Sequence, residues 1–192
     1  MEALIVSTGV VALAEIGDKT QLLSLLLAAR FRRPVPIILG ILAATLLNHA
    51  GASALGAWLT SWLGPEWLRW ILGLSFLAMA VWMLIPDRLD EEETAPRSRL
   101  GVFGTTFVAF FLAEMGDKTQ VATVALAAQF AAFVPVVIGT TAGMMIANVP
   151  AVLLGDRASG KLPAGPIHAI AALVMALLGI ATLTGVDQRL GL

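Results

Sequence analysis

An eight-residue block, Ala14-Glu15-Ile16-Gly17-Asp18-Lys19-Thr20-Gln21, returns 99 positions later as Ala113-Glu114-Met115-Gly116-Asp117-Lys118-Thr119-Gln120. The chain has 192 residues, so the repeat splits it into halves. The likeness continues through Ala28-Ala29, Phe31, Val35-Pro36, Gly40 and Gly56, which fall on Ala127-Ala128, Phe130, Val134-Pro135, Gly139 and Gly155. The third apolar run of each half also opens alike, with Gly64-Pro65 and Gly165-Pro166; proline there suits the first turn of a helix. Each block sets three charges inside a long apolar run, a coincidence that biased apolar composition does not produce twice.

The runs themselves decide the solvent. Hydrophobic residues make up 58% of the chain and charged residues 13%, against about 25% charged in soluble domains. One water-facing core cannot hide that much apolar surface, so lipid covers most of the chain. A spanning helix needs roughly 20 mostly apolar residues, and six stretches qualify: Ala3 to Ala29, Val35 to Leu63, Trp67 to Ile85, Val102 to Phe130, Val134 to Gly155 and Ile167 to Val186. They are long, rich in Leu and Ala and do not alternate, which excludes a membrane barrel of short alternating strands. The expected fold is all-α, a polytopic membrane protein of six transmembrane helices. Residues 1–86 form one three-helix repeat, 87–99 an acidic, solvated linker and 100–192 the second repeat. Three is odd, so the second repeat enters the membrane upside down. Such inverted repeats place a transport site near the midplane between the halves.

Basic residues orient the bundle. Arg30, Arg32, Arg33, Arg88, Arg97, Arg99, Arg157 and Lys161 follow spans one, three and five, whereas only Arg69 and Arg189 lie at the opposite side. The rule that cytoplasmic loops carry the excess of Lys and Arg puts both termini outside. Trp58, Trp62, Trp67 and Trp70 bracket the turn between spans two and three, either as an aromatic belt at the outer interface or as scattered lipid-facing rings. A net charge of −1 removes the basic footprint of a nucleic-acid binder. The absence of cysteine excludes disulfides, thiolate metal sites and cysteine nucleophiles.

The repeated block carries the chemistry. Insertion scales charge about 2.5–3.5 kcal/mol for each central ionised group. Six such groups cost on the order of 15–20 kcal/mol, more than the roughly 5–15 kcal/mol that holds a typical domain together. They must therefore be paired, protonated, hydrated or ligated. On a continuous helix Glu15, Asp18 and Lys19 share one face, with Gly17 and Gly116 permitting local unwinding. Intrahelical pairing of Glu15 with Lys19 and Glu114 with Lys118 leaves two aspartates over. Four carboxylates and two lysines sum to −2, which one divalent cation or two protons would neutralise. Carboxylates are hard oxygen ligands, suited to Mg, Ca or Mn. The expected ligands are thus Glu15, Asp18, Glu114 and Asp117, balanced in charge by Lys19 and Lys118. Gln21, Gln120, Thr20, Thr119, Asn48 and Asn148 are secondary candidates; on an ideal helix Thr20 points well away from Glu15, which weakens the threonines unless the helix unwinds. The two asparagines either complete the site or hydrogen-bond between helices. His49 is a ligand, a proton relay or a packing histidine, His168 is expected at the membrane interface, and Met144 and Met145 are expected to pack.

At these residues the chain resembles the GDT-type cation/proton antiporters, whose signature is two copies of Glu-x-Gly-Asp-(Lys/Arg)-(Thr/Ser) in two oppositely oriented three-helix repeats. Both copies are intact, at Glu15 to Thr20 and Glu114 to Thr119, and the likeness covers essentially the whole chain. The resemblance implies export of Mn2+, or of Ca2+, in exchange for protons, with Glu15, Asp18, Glu114 and Asp117 as the metal and proton sites. The compact central loop looks like the prokaryotic form of the plasma (inner) membrane. No prosthetic group is implied; the partners are the divalent ion, protons and the bilayer. Two other readings stay open: an exporter of cationic amino acids, with the acids holding an ammonium group, and an intramembrane aspartyl hydrolase using Asp18 and Asp117.

Overall fold

In the computed structural model, residues 1–85, 100–154 and 164–185 are described. The expected linker at 87–99 lies outside them, as do six of the residues used to orient the bundle: Arg88, Arg97, Arg99, Arg157, Lys161 and Arg189.

The described residues form helices and no strand. The first half contains α1 (Glu2–Glu15), α2 (Lys19–Phe31), α3 (Pro34–Trp62) and α4 (Pro65–Trp82). The second contains α5 (Gly101–Glu114), α6 (Lys118–Phe130), α7 (Phe133–Leu154) and α8 (Ala164–Thr184). Three helices are both long and apolar enough to cross a membrane, Pro34–Trp62, Phe133–Leu154 and Pro166–Thr184. The expected first and fourth spans are not continuous helices. Each is cut at the charged block into pieces of 14 and 13 residues, about 20 Å each at about 1.5 Å per residue and too short to cross alone.

The two cuts have the same backbone. Ile16 and Met115 leave the helix in an extended conformation, Gly17 and Gly116 take φ of 86° and 77°, and Asp18 and Asp117 return to extended geometry at φ −80° before the next helix begins. Positive φ costs a side-chain-bearing residue about 1–2 kcal/mol and glycine almost nothing, so glycine at this one position of the block permits the bend. A second matched pair, Arg32 and Ala131, ends α2 and α6 in the left-handed region.

Packing between the halves is matched in the same way. α1 lies along α7, as α5 lies along α3, while α4 packs on its counterpart α8. Gly40 in α3 meets the Phe103 carbonyl and Thr106, so close that a Cβ there would sit 2.8 Å from Thr106 Cβ. Gly139 in α7 makes the equivalent approach to the Leu4 carbonyl, at 2.7 Å, and to Ser7. Small residues at helix crossings are how helices associate in lipid, where apolar burial between helices drives little.

Polar and apolar residues are distributed inside out. Glu15, Asp18, Thr20, Thr45, Asn48, His49, Thr106, Glu114, Asp117, Lys118 and Asn148 are buried, while Leu22, Leu39, Leu47, Leu74, Ile138, Ile146, Leu173 and Leu177 face outward. That arrangement would aggregate in water and is the stable one in a bilayer. Trp58, Trp62, Trp67 and Trp70 are all exposed around the α3–α4 turn.

Candidate metal centre

The bends turn the charged blocks into a site. In an uninterrupted helix, residues five apart point in different directions. With the chain turned at Gly17, Thr20 Oγ1 instead donates to Glu15 Oε2 at 2.5 Å, and beyond Gly116 Thr119 Oγ1 donates to Glu114 Oε2 at 2.9 Å. The helix is not continuous, which is the condition under which the threonines come to the glutamates. Each hydroxyl occupies one oxygen of its glutamate. The other oxygen, Oε1 of Glu15 and of Glu114, is buried and accepts no hydrogen bond. Buried oxygens in that condition are rare and call for an occupant.

Asp18 and Asp117 stand at the N-caps of α2 and α6, where an aspartate ordinarily bonds the first turn of its own helix. Asp18 makes no side-chain capping hydrogen bond. Glutamine ties down the adjacent backbone instead. Gln21 Oε1 accepts the Gly17 N–H at 2.9 Å, and Gln120 Oε1 accepts the Gly116 N–H at 2.8 Å. The side-chain oxygens of Gln21 and Gln120 therefore hold the bends. The Asp117 carboxylate joins the cluster.

Glu15, Glu114 and Asp117 each contribute a carboxylate oxygen, and the three lie within 4.8 Å of one another. Oxygens opposed across a hard dication at about 2.1–2.6 Å are about 4.2–5.2 Å apart, so this spacing suits one ion. Asp18 is buried beside Gly17 but lies outside that triad. Both halves thus contribute carboxylates to one cluster, as the repeat predicts, though Glu15, Asp18 and Lys19 do not share a helix face. Lys19 reaches across to the opposite half, 3.8 Å from Asp117 Oδ1. Lys118 instead donates to the carbonyl of Ile85, just beyond α4, at 2.8 Å. In place of intrahelical Glu–Lys pairs, the lysines tie distant segments together.

The asparagines join helices. Asn48 Nδ2 donates to the Phe111 carbonyl at 3.1 Å, linking α3 to α5; Asn148 Oδ1 accepts from Ser24 Oγ at 2.7 Å, linking α7 to α2. His49, which occupies the position matching Asn148, is buried with no hydrogen bond to either ring nitrogen. Met144 packs in the interior and also meets Asn148 Nδ2 through its sulfur, at 2.9 Å. His168 is not merely interfacial: α8 packs against α1, and His168 Nε2 lies 3.0 Å from the carbonyl of Ile16, inside the first bend. Neither the threonine contacts nor this one follows from helical spacing, because both exist only once the helix is broken.

Two segments, residues 3–91 and 102–189, match the family model of the divalent cation/proton antiporter GDT1. The chain belongs to the GDT1 family. Among its relatives, a protein of Vibrio cholerae described as a putative manganese exporter is 54% identical over 183 residues, covering 95% of this chain and 90% of the relative. A GDT1-like protein of Synechocystis is 28% identical over 193 residues, covering 88% and 91%. GDT1-like protein 4 of Oryza sativa is 27% identical, covering 90% and 70%. No solved structure matches the chain. GDT1 members are transporters, not enzymes, which removes the aspartyl hydrolase reading. The two matched segments of the GDT1 model begin 99 residues apart, the spacing of the charged blocks.

Proposed function

We propose that the chain exports Mn2+ from the cytoplasm in exchange for protons, with Glu15, Asp18, Glu114 and Asp117 as the shared binding site. The observation that carries this reading is the convergence of carboxylate oxygens from both halves within 4.8 Å, with the Oε1 atoms of both glutamates buried and lacking any hydrogen bond. Family membership supports cation/proton exchange, and the Vibrio relative's description favours manganese over calcium as cargo. A triad this compact also favours a monatomic ion over an amino acid's ammonium group.

In this reading α1 with α2 and α5 with α6 each cross the membrane once as a broken helix, giving six crossings in two inverted repeats. The exchanged packings of α1 on α7 and α5 on α3 support it, as do the matched approaches at Gly40 and Gly139. Both termini face outward and the membrane is the plasma membrane. Metal entering from the cytoplasm draws Asp117 away from Lys19 and completes its shell on the two free glutamate oxygens. The repeats then rock, and protons arriving from outside neutralise the carboxylates and release the ion. One dication and two protons compensate the same formal charge of −2, so occupation by either discharges the site and occupation by both is disfavoured.

The test is Mn2+-driven proton movement in liposomes carrying the purified protein. Glu15→Gln, Asp18→Asn, Glu114→Gln and Asp117→Asn each abolish coupled flux while leaving a folded, monodisperse protein. Wild-type flux in any one of them removes that residue from the site. Mn2+ flux without proton movement defeats exchange, and competition by lysine but not by Ca2+ or Mg2+ would restore the amino-acid reading.

A further inference from the structure

The two bends have the same backbone but are not held alike. A carbonyl oxygen only accepts, so the 3.0 Å contact between His168 Nε2 and the Ile16 carbonyl requires the ring to donate from Nε2. In a continuous helix the Ile16 carbonyl would accept the Thr20 N–H; the bend removes that partner, and the imidazole replaces it from the opposite half. His168 thereby ties the backbone next to Glu15 to α8. The matching carbonyl in the second half is that of Met115, which no side chain among the described residues holds. At the 99-residue spacing of the charged blocks, the residue matching His168 is Arg69, which lies over the Trp70 ring and whose buried Nε makes no hydrogen bond. Met115 is 56% exposed and Gly116 is exposed, whereas Ile16 and Gly17 are half-buried.

We propose that His168 is a positioning residue of the exchange site: its ring N–H pins the first bend to α8 at the carbonyl next to Glu15, whereas the second bend is tied to the opposite half one step further on, through Lys118 and the Ile85 carbonyl. This rests on the exchanger reading for what the position serves, but the pin itself is a property of the resting protein. Pinning one bend means that the carboxylates of the two halves are not equivalent when metal arrives. Glu15 is preset by Thr20 on its side chain and by His168 on the adjacent carbonyl. Glu114 is preset by Thr119 on its side chain but has no such tie at the adjacent Met115 carbonyl.

Hydrogen–deuterium exchange of the full chain in nanodiscs, without metal, tests the pin independently of transport. In His168→Ala, deuterium uptake over residues 12–21 rises about fivefold, the factor expected for losing one net hydrogen bond. Uptake over residues 111–120 stays at the wild-type level. His168→Gln, whose amide N–H reaches a similar position, returns uptake over 12–21 to near wild type. In liposomes, His168→Ala raises the KM for Mn2+ about fivefold with maximal flux within about twofold of wild type. The inference is overturned by unchanged uptake over 12–21, by an equal rise in both segments, or by a Gln variant that behaves like the Ala variant. A protein that shows the uptake pattern but moves no Mn2+ against protons keeps the pin and loses the exchanger.

Discussion

Replacing Gly116 by alanine isolates the energetic worth of the bend. A Cβ built on Gly116 meets nothing within 4 Å, so steric overlap contributes nothing and only backbone strain is felt. At φ of 77° an alanine costs about 1–2 kcal/mol relative to glycine, which lowers the ratio of bent to straight conformation by about 5- to 30-fold. The competing conformation is the straight helix that the flanking apolar sequence otherwise favours. In it Thr119 swings off Glu114, and the carboxylates of the two halves separate. Mn2+-driven proton flux in liposomes should therefore fall by about 5- to 30-fold, with an apparent melting temperature lower by about 2–8 °C. Asparagine tolerates the left-handed region better than alanine, and valine tolerates it worst; flux should thus rank Gly, Asn, Ala, Val. Alanine at Gly40 is the contrasting case, because its Cβ would lie 2.8 Å from Thr106 and the loss there comes from overpacking. Wild-type flux and melting in Gly116→Ala, or an asparagine variant no better than the alanine one, would refute the claim that positive φ at this glycine assembles the site.

Thr20→Val and Thr119→Val preserve shape but leave a buried glutamate oxygen without its donor, at a cost of about 1–3 kcal/mol; calorimetry should find Mn2+ binding weaker by about 5- to 150-fold, and an unchanged affinity would deny the threonines a positioning role. Lys19→Met removes the cation 3.8 Å from Asp117 and takes the cluster's formal charge from −2 to −3. Mn2+ should then bind more tightly and leave more slowly, so that both KM and maximal flux fall in the liposome assay while Lys19→Arg stays near wild type; a rise in KM would mean that Lys19 assists metal binding instead of competing with it.

What could be read from the sequence follows the distinction between composition and context. The apolar runs and the repeated charged block were legible, because length, hydropathy and a repeat do not depend on the rest of the fold. The break was only half legible. Gly17 and Gly40 both lie in apolar runs, yet one turns the chain at positive φ while the other lets a neighbouring helix come within contact of its backbone. Nothing local separates these roles; the rest of the fold does. Once the turn is granted, Thr20 and Thr119 move from the wrong side of an ideal helix into bonds with Glu15 and Glu114. His168 was hidden for a different reason. Repeat logic pairs it with Arg69, a residue of different chemistry, so reasoning from what the halves share passes over it. That blind spot has a physical consequence. If two halves were identical and exchanged their conformations, the inward- and outward-open states would have the same intrinsic free energy. Any bias between them must therefore come from contacts that one half makes and the other does not, since only differential interactions shift a two-state equilibrium. The mismatched pairs at the heart of the bundle, His168 with Arg69 and His49 with Asn148, are where such a bias has to be sought. Under the exchanger reading, the matched acids would set what is bound, and a preference of the empty protein for one side would have to come from such unmatched side chains.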